Sequence, residues 1–179
     1  TPIIEEVSGM KNITISPSEE ETITLGIDGI ALVYKANVEL NINQENIDDI
    51  YLAFSGVESK TFKDLGAKGK DENLKLIPFA RTGGKTKSGT TEAFVKNSGF
   101  NLDKKDEKLN QALKNIDTGA YGPNLVETTK ESQAESWNQV LSYNKNGSIV
   151  YLSTGFVLQN EKTILDNGYK VATYGDNHD

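Results

Sequence analysis

The sequence predicts an all-β fold, an antiparallel β-sandwich with one short surface helix, from three observations. A strict two-residue alternation of apolar and polar side chains runs through 30–42. Turn chemistry recurs at 144–147 and 166–168, each time between short apolar runs. One stretch, 104–116, carries a clear helical period.

Taken in order, 12–16 and 21–27 alternate around Ile13, Ile15, Ile23, Leu25 and Ile27 and predict two strands. In 30–42, Ile30, Leu32, Tyr34, Ala36, Val38, Leu40 and Ile42 share one face, and Ala31, Val33, Lys35, Asn37, Glu39 and Asn41 share the other. A helix would scatter both sets around its circumference, so the segment predicts one long strand, bent midway. Ile50, Leu52 and Phe54 make 49–55 a further strand. The run 74–80 is apolar, but Pro78 lacks an N–H and restricts it to an edge or a strand end. A short strand is expected at 92–96. The helix at 104–116 places Leu109, Ala112, Leu113 and Ile116 on one stripe, with Asp103 as N-cap and Asp106 and Glu107 in its first turn. Strands at 139–143, 148–159 and 169–174 complete a meander. Long loops are expected at 60–73, 81–89 and 117–136, positions that often carry function.

A chain of 179 residues suits one domain, expected at 11–179, preceded by an extended arm at 1–10. Its net charge of −7 argues against nucleic acid as a partner, because phosphate backbones select basic stripes. No run approaches the ~18 apolar residues of a membrane span, so no membrane insertion is expected. There is no cysteine, hence no disulfide framework and no thiol nucleophile, and the one histidine is His178. Position 1 is Thr, which fits a mature secreted protein whose signal peptide has been removed, and an extracellular or cell-surface location.

Catalysis finds little support. No nucleophile elbow appears, no central histidine is available as a base, and the protein is expected not to be an enzyme. Gly83-Gly84-Lys85-Thr86 looks like the end of a phosphate loop but lacks the upstream glycine at the required spacing, and reads as a flexible loop. The acidic loops offer hard oxygen ligands suited to calcium, with Asp28, Asp48, Asp49, Asp71, Glu72, Asp176 and Asp179 as candidates. The competing reading of these residues is a set of solvated acids between strands. Trp137, Tyr121, Tyr143, Tyr151 and Tyr174 are candidates for a sugar platform. The arm carries Pro2, Ile3, Ile4 and Val7, an apolar set able to add to the sheet edge of a neighbouring copy or to pair within its own sheet.

Two stretches resemble the cannula subunits of hyperthermophilic archaea, which build extracellular tubes. One runs from Gly29-Ile30-Ala31-Leu32-Val33-Tyr34 through Val38-Glu39-Leu40 to Tyr51-Leu52-Ala53-Phe54-Ser55-Gly56. The other runs from Val140-Leu141-Ser142-Tyr143-Asn144 through Ile149-Val150-Tyr151-Leu152 and Phe156 to Tyr174. The resemblance implies a jelly-roll-like sandwich and calcium-promoted polymerisation, with an N-terminal strand donated to the next subunit. The segment 83–136 does not map onto that family. The resulting expectation is a structural subunit of an extracellular filament, a homopolymer of identical subunits with Ca2+ as cofactor. The alternative is a carbohydrate-binding or adhesin module of a larger surface protein, with a glycan as partner.

Overall fold

A computed structural model describes residues 29–80, 89–96, 100, 102–103, 105–123, 127–128 and 133–175. The predicted strands at 12–16 and 21–27 and the arm at 1–10 lie outside the described residues.

The described residues build a mixed α/β fold, not a β-sandwich or jelly roll. A five-stranded sheet has the order β6-β5-β7-β1-β8, made by β1 (Ile30–Tyr34), β5 (Ile77–Ala80), β6 (Glu127–Thr128), β7 (Ser148–Ser153) and β8 (Lys170–Val171). β1 is antiparallel to both β7 and β8, whereas β5 is parallel to both β6 and β7. Four strands therefore point one way and β1 points the other. Two small ladders flank this sheet. One pairs β2 (Val38–Glu39) with β4 (Lys68–Gly69), and the other pairs β3 (Asn41–Ile42) with β9 (Thr173–Tyr174).

Helices cover both faces of the sheet. On one face, Ile30, Leu32 and Tyr34 of β1 and Ile149 and Tyr151 of β7 pack with α1 (Ile47–Ser55), α2 (Gly89–Lys96) and α3 (Glu107–Thr118). On the other, Ala31, Val33, Phe79, Val150 and Leu152 pack with α4 (Gln133–Tyr143), α5 (Thr154–Gln159) and α6 (Glu161–Asp166). A strand covered on both sides is apolar at every position, and every residue of β1 is buried.

The alternation in 30–42 survives in part. All seven residues from Ile30 to Ile42 on the predicted inner face are buried in the first core. The segment is three short strands rather than one, because Tyr34 folds it back. Its hydroxyl donates to the Val38 carbonyl at 3.0 Å and accepts from the Leu40 N–H at 3.2 Å. Burial pushes that phenol up to about 12.

The predicted strand at 49–55 is α1. Ile47, Ile50, Tyr51 and Phe54 lie at i, i+3, i+4 and i+7, and Leu52 and Ala53 are buried as well. A helix covered on most sides loses its polar stripe, so the spacing of Ile50, Leu52 and Phe54 imitated a strand. The predicted strands at 92–96 and 139–143 are the ends of α2 and α4. The run 148–159 divides at Ser153, whose hydroxyl accepts the Phe156 N–H at 3.2 Å and caps α5.

The helix expected at 104–116 is α3, shifted by one turn. Asp106, not Asp103, is its N-cap, accepting the N–H groups of Lys108 and Leu109. Of its predicted stripe, Leu109, Ala112 and Ile116 are buried and Leu113 is partly buried. Both predicted turns form. Gly147 takes φ +104 with Lys75 O so near that a Cβ would stand 2.7 Å from it, and Gly168 takes φ +84. Pro78 stands opposite Ile149 of β7, and among the described residues the pairing of β5 with β6 starts at Phe79.

Candidate functional site

The connections of the sheet single out one place on it. After β5 the chain runs through α2 and α3 on the first face, and after β7 it runs through α5 and α6 on the second. β5 and β7 are neighbours and parallel. Where adjacent parallel strands send their connections to opposite faces, a crevice opens outside their C-terminal ends, the usual ligand position of open α/β sheets.

Ser153 and Thr154 follow β7 at that end, and α2, the next described element after β5, meets β7 through Thr91 and Tyr151. Gly29 closes the same end of β1, its carbonyl accepting the Thr154 N–H at 2.7 Å. The first turn of α2 reads Gly89-Thr90-Thr91, with both threonines buried. The first N–H groups of a helix lack intrahelical partners and carry the positive end of its dipole. A glycine at the first position leaves no side chain between that backbone and a ligand.

Aromatic packing holds α2 over the sheet. The Phe94 ring stacks on Tyr151 at 4.2 Å and 15°, and Phe54 meets both edge-on at 5.3 Å. Tyr51 donates from its hydroxyl to the Phe94 carbonyl at 2.5 Å. Thr91 Oγ1 lies 3.1 Å from the Tyr151 hydroxyl. Tyr121 contributes a further phenol on this side, raised by burial first and by Tyr151 second.

A cavity of about 560 Å3 lies elsewhere, lined by Glu39, Asn41, Asn46, Lys63 and Lys68 among others. It lies where β3 pairs with β9, with Thr173 two residues past the end of β8, the edge of the sheet opposite β6. Its asparagines are engaged in holding the chain. Asn46 donates to the carbonyls of Asn41 and Leu65, and Asn41 donates to that of Gly175. Topology and helix polarity point instead to the C-terminal ends of β5 and β7.

Of the candidate calcium ligands, Asp28, Asp176 and Asp179 lie outside the described residues, as do Pro2, Ile3, Ile4 and Val7. Asp48 and Asp49 occupy the first turn of α1. Asp49 pairs with Lys60 at 3.2 Å, and Asp71 accepts the Asn37 N–H at 2.8 Å. The backbone carbonyl of Glu72 accepts the Lys63 N–H. Burial, then Asp106, Asp49 and Asp103, raise the Asp48 carboxyl above its ordinary range. Among the described residues no three of His, Cys, Asp and Glu are grouped to hold a metal ion. The sugar platform does not form. Trp137 is 4% exposed and packs edge-on against Tyr169 in the second core, and Tyr151 is fully buried.

The sequence reading missed the Ser88-Gly89-Thr90-Thr91 run. The signal was present: hydroxyl residues and Glu92 directly before Ala93, Phe94 and Val95 mark a helix start. The reading stopped instead at Gly83–Thr86, which lies outside the described residues.

No family model matches the chain. The uncharacterized lipoprotein MG412 of Mycoplasma genitalium is 34% identical over 164 residues, covering 84% of this chain and 43% of that protein. Among solved structures, a high-affinity periplasmic phosphate-binding protein, PfluDING, bound with phosphate, matches 87% of this chain and 39% of its own length. Its TM-score is 0.53, with 15% sequence identity. The chain thus spans less than half the length of either protein. At that identity the structural likeness speaks for the fold alone. Together with the helices on both sheet faces, these likenesses overturn the resemblance to cannula subunits, and with it both the filament-subunit and the adhesin expectations.

Proposed function

We propose that the chain is a ligand-binding domain of a cell-envelope binding protein, and that it takes a small tetrahedral oxyanion of the phosphate type in the crevice at the ends of β5 and β7. The observation that carries this reading is the start of α2 at Gly89-Thr90-Thr91, the first described element after β5, held against β7 through Thr91 and Tyr151. Helix N–H groups and hydroxyls donate, and a phosphate oxygen only has to accept. The connection from β5 to α2, 81–88, contains Arg81, Lys85, Lys87 and Ser88 and no acidic residue, in a chain of net charge −7. A guanidinium matches an oxyanion with two parallel donors. PfluDING is a phosphate-binding protein of similar fold, and this supports the choice of anion.

The location is outside the cytoplasm, at the cell surface or in the extracellular space. A lipoprotein and a periplasmic protein as the similar chains support it. The reading is one of binding rather than catalysis, with a small anion as partner.

Calorimetric titration of the 179-residue chain with phosphate and with sulfate tests it. Saturable phosphate binding is expected, with a rise in thermal midpoint that grows with ligand concentration, equivalent to about 2.7 kcal/mol at one hundred times Kd. Absence of any phosphate signal at millimolar concentration would sink the reading.

A further inference from the structure

We propose that Tyr151 is a positioning residue for the oxyanion site, setting where the first turn of α2 stands relative to the end of β7; this rests on the reading of that turn as the anion-binding element. Tyr151 lies two residues before Ser153, the last residue of β7, and is fully buried. It meets α2 at two positions, Thr91 and Phe94. Its hydroxyl is 3.1 Å from Thr91 Oγ1, and its ring stacks on Phe94 at 4.2 Å. Positions i and i+3 share a helix face, so one side chain grips α2 along the side that faces the sheet.

The two contacts do different things. A stacked ring tolerates sliding, because dispersion is non-directional. A hydrogen bond does not, because its geometry restricts both distance and angle. α2 has eight residues, too few for a helix to be stable by itself, so tertiary contacts decide its place. The hydroxyl pair, together with the Tyr51 hydrogen bond to the Phe94 carbonyl, therefore sets the rotation and axial position of α2, and with them the direction of its first N–H groups. Thr91 is 0% exposed, which explains a hydroxyl rather than a methyl at this position: a buried hydroxyl requires a partner and rewards one geometry.

The test compares wild type, Tyr151→Phe, Thr91→Val, Thr91→Ser and the Tyr151→Phe/Thr91→Val double variant in the 179-residue chain. Phosphate affinity is measured by calorimetry, thermal midpoint alongside, and 15N-resolved shifts of the Gly89 and Thr90 amides without phosphate. Tyr151→Phe keeps the stack and Thr91→Val keeps the volume, and each should weaken phosphate binding by about three- to tenfold, the scale of one neutral hydrogen bond. Thr91→Ser should restore binding. The double variant should be no weaker than either single one, since both remove the same contact. The Gly89 and Thr90 amide shifts should move in Tyr151→Phe, a change that a general loss of stability would not localise there. If Tyr151→Phe does not fold, the Thr91 pair carries the comparison. Wild-type affinity in Tyr151→Phe or in Thr91→Val, or additive losses in the double variant, overturns the positioning role and leaves the anion site standing. No phosphate binding by the wild type overturns the anion site, and the positioning role with it.

Discussion

The two faces of the central sheet are built differently. The first face is an aromatic lattice: Phe54, Phe94 and Tyr151 touch one another, Tyr51 adds to Phe94, and Tyr34 meets Phe62 at 5.8 Å. The second face combines Val33, Val140, Val150, Leu152, Val157 and Ile164 with two separate edge-on ring pairs, Trp137–Tyr169 and Phe79–Tyr143. Aromatic rings have preferred mutual angles, and their phenols add directed hydrogen bonds. Aliphatic side chains fill volume with less directional demand. The face that carries the proposed site is thus the one whose rings Phe54, Phe94 and Tyr151 all touch one another, whereas the described rings of the second face meet in separate pairs.

That contrast can be broken from either side. The largest effect is expected from Phe54→Ala, which removes a fully buried ring touching two others; about 3–5 kcal/mol should be lost in denaturant unfolding. Gly147→Ala should cost about 1–3 kcal/mol, because φ +104 disfavours any Cβ and Lys75 O stands 2.7 Å from its position. This glycine launches β7, which both faces share, so both should loosen together. Ile164→Val, a change confined to the second face, should cost about 0.5–1.5 kcal/mol and leave phosphate affinity unchanged. A loss of affinity in Ile164→Val would end the division of labour between the faces.

The smallest effects concern the rim of the first face, where α1 and α3 meet. Glu58 is lowered to about 2, first by its hydrogen bond from Lys108 and then by that from Lys60. Its folded value lies below the ordinary 4.5, so its contribution is present above pH 4.5 and is lost as pH falls through the folded value. Glu58→Gln should lower stability slightly at pH 7, with the difference from wild type vanishing toward pH 2. Asp48 behaves in the opposite sense. Its folded value is raised above 3.8, so its ionisation opposes folding at neutral pH and does not below 3.8. Asp48→Asn should therefore be slightly stabilising at pH 7 and neutral in acid, read from denaturation midpoints across pH.

Local chemistry in the sequence was legible wherever a short-range rule governed it. The turns at Gly147 and Gly168, the buried stripe of α3 and the inward set from Ile30 to Ile42 are of this kind. The errors have one physical source. Alternation identifies a strand only when one face meets water, and β1, β7 and α1 are covered nearly all round, so strands and helices both read as apolar runs. Reading α1, α2 and α4 as strands is what turns the chain into a sandwich.

The site was less legible than the fold. Ser88-Gly89-Thr90-Thr91 and the cations of 81–88 stand in plain view in the sequence, but nothing local says that this helix start faces a crevice. That is decided by strand order. β7 lies between β5 and β1, and the connections after β5 and β7 leave on opposite faces. The sequence by itself determined the turns, most of the stripe of α3 and the absence of cysteine chemistry, because neighbours along the chain settle such features. Only the tertiary structure decided that Tyr151 meets Thr91 across sixty positions and that β5 and β7 end side by side, because pairings between distant segments are chosen by the packing of the whole core.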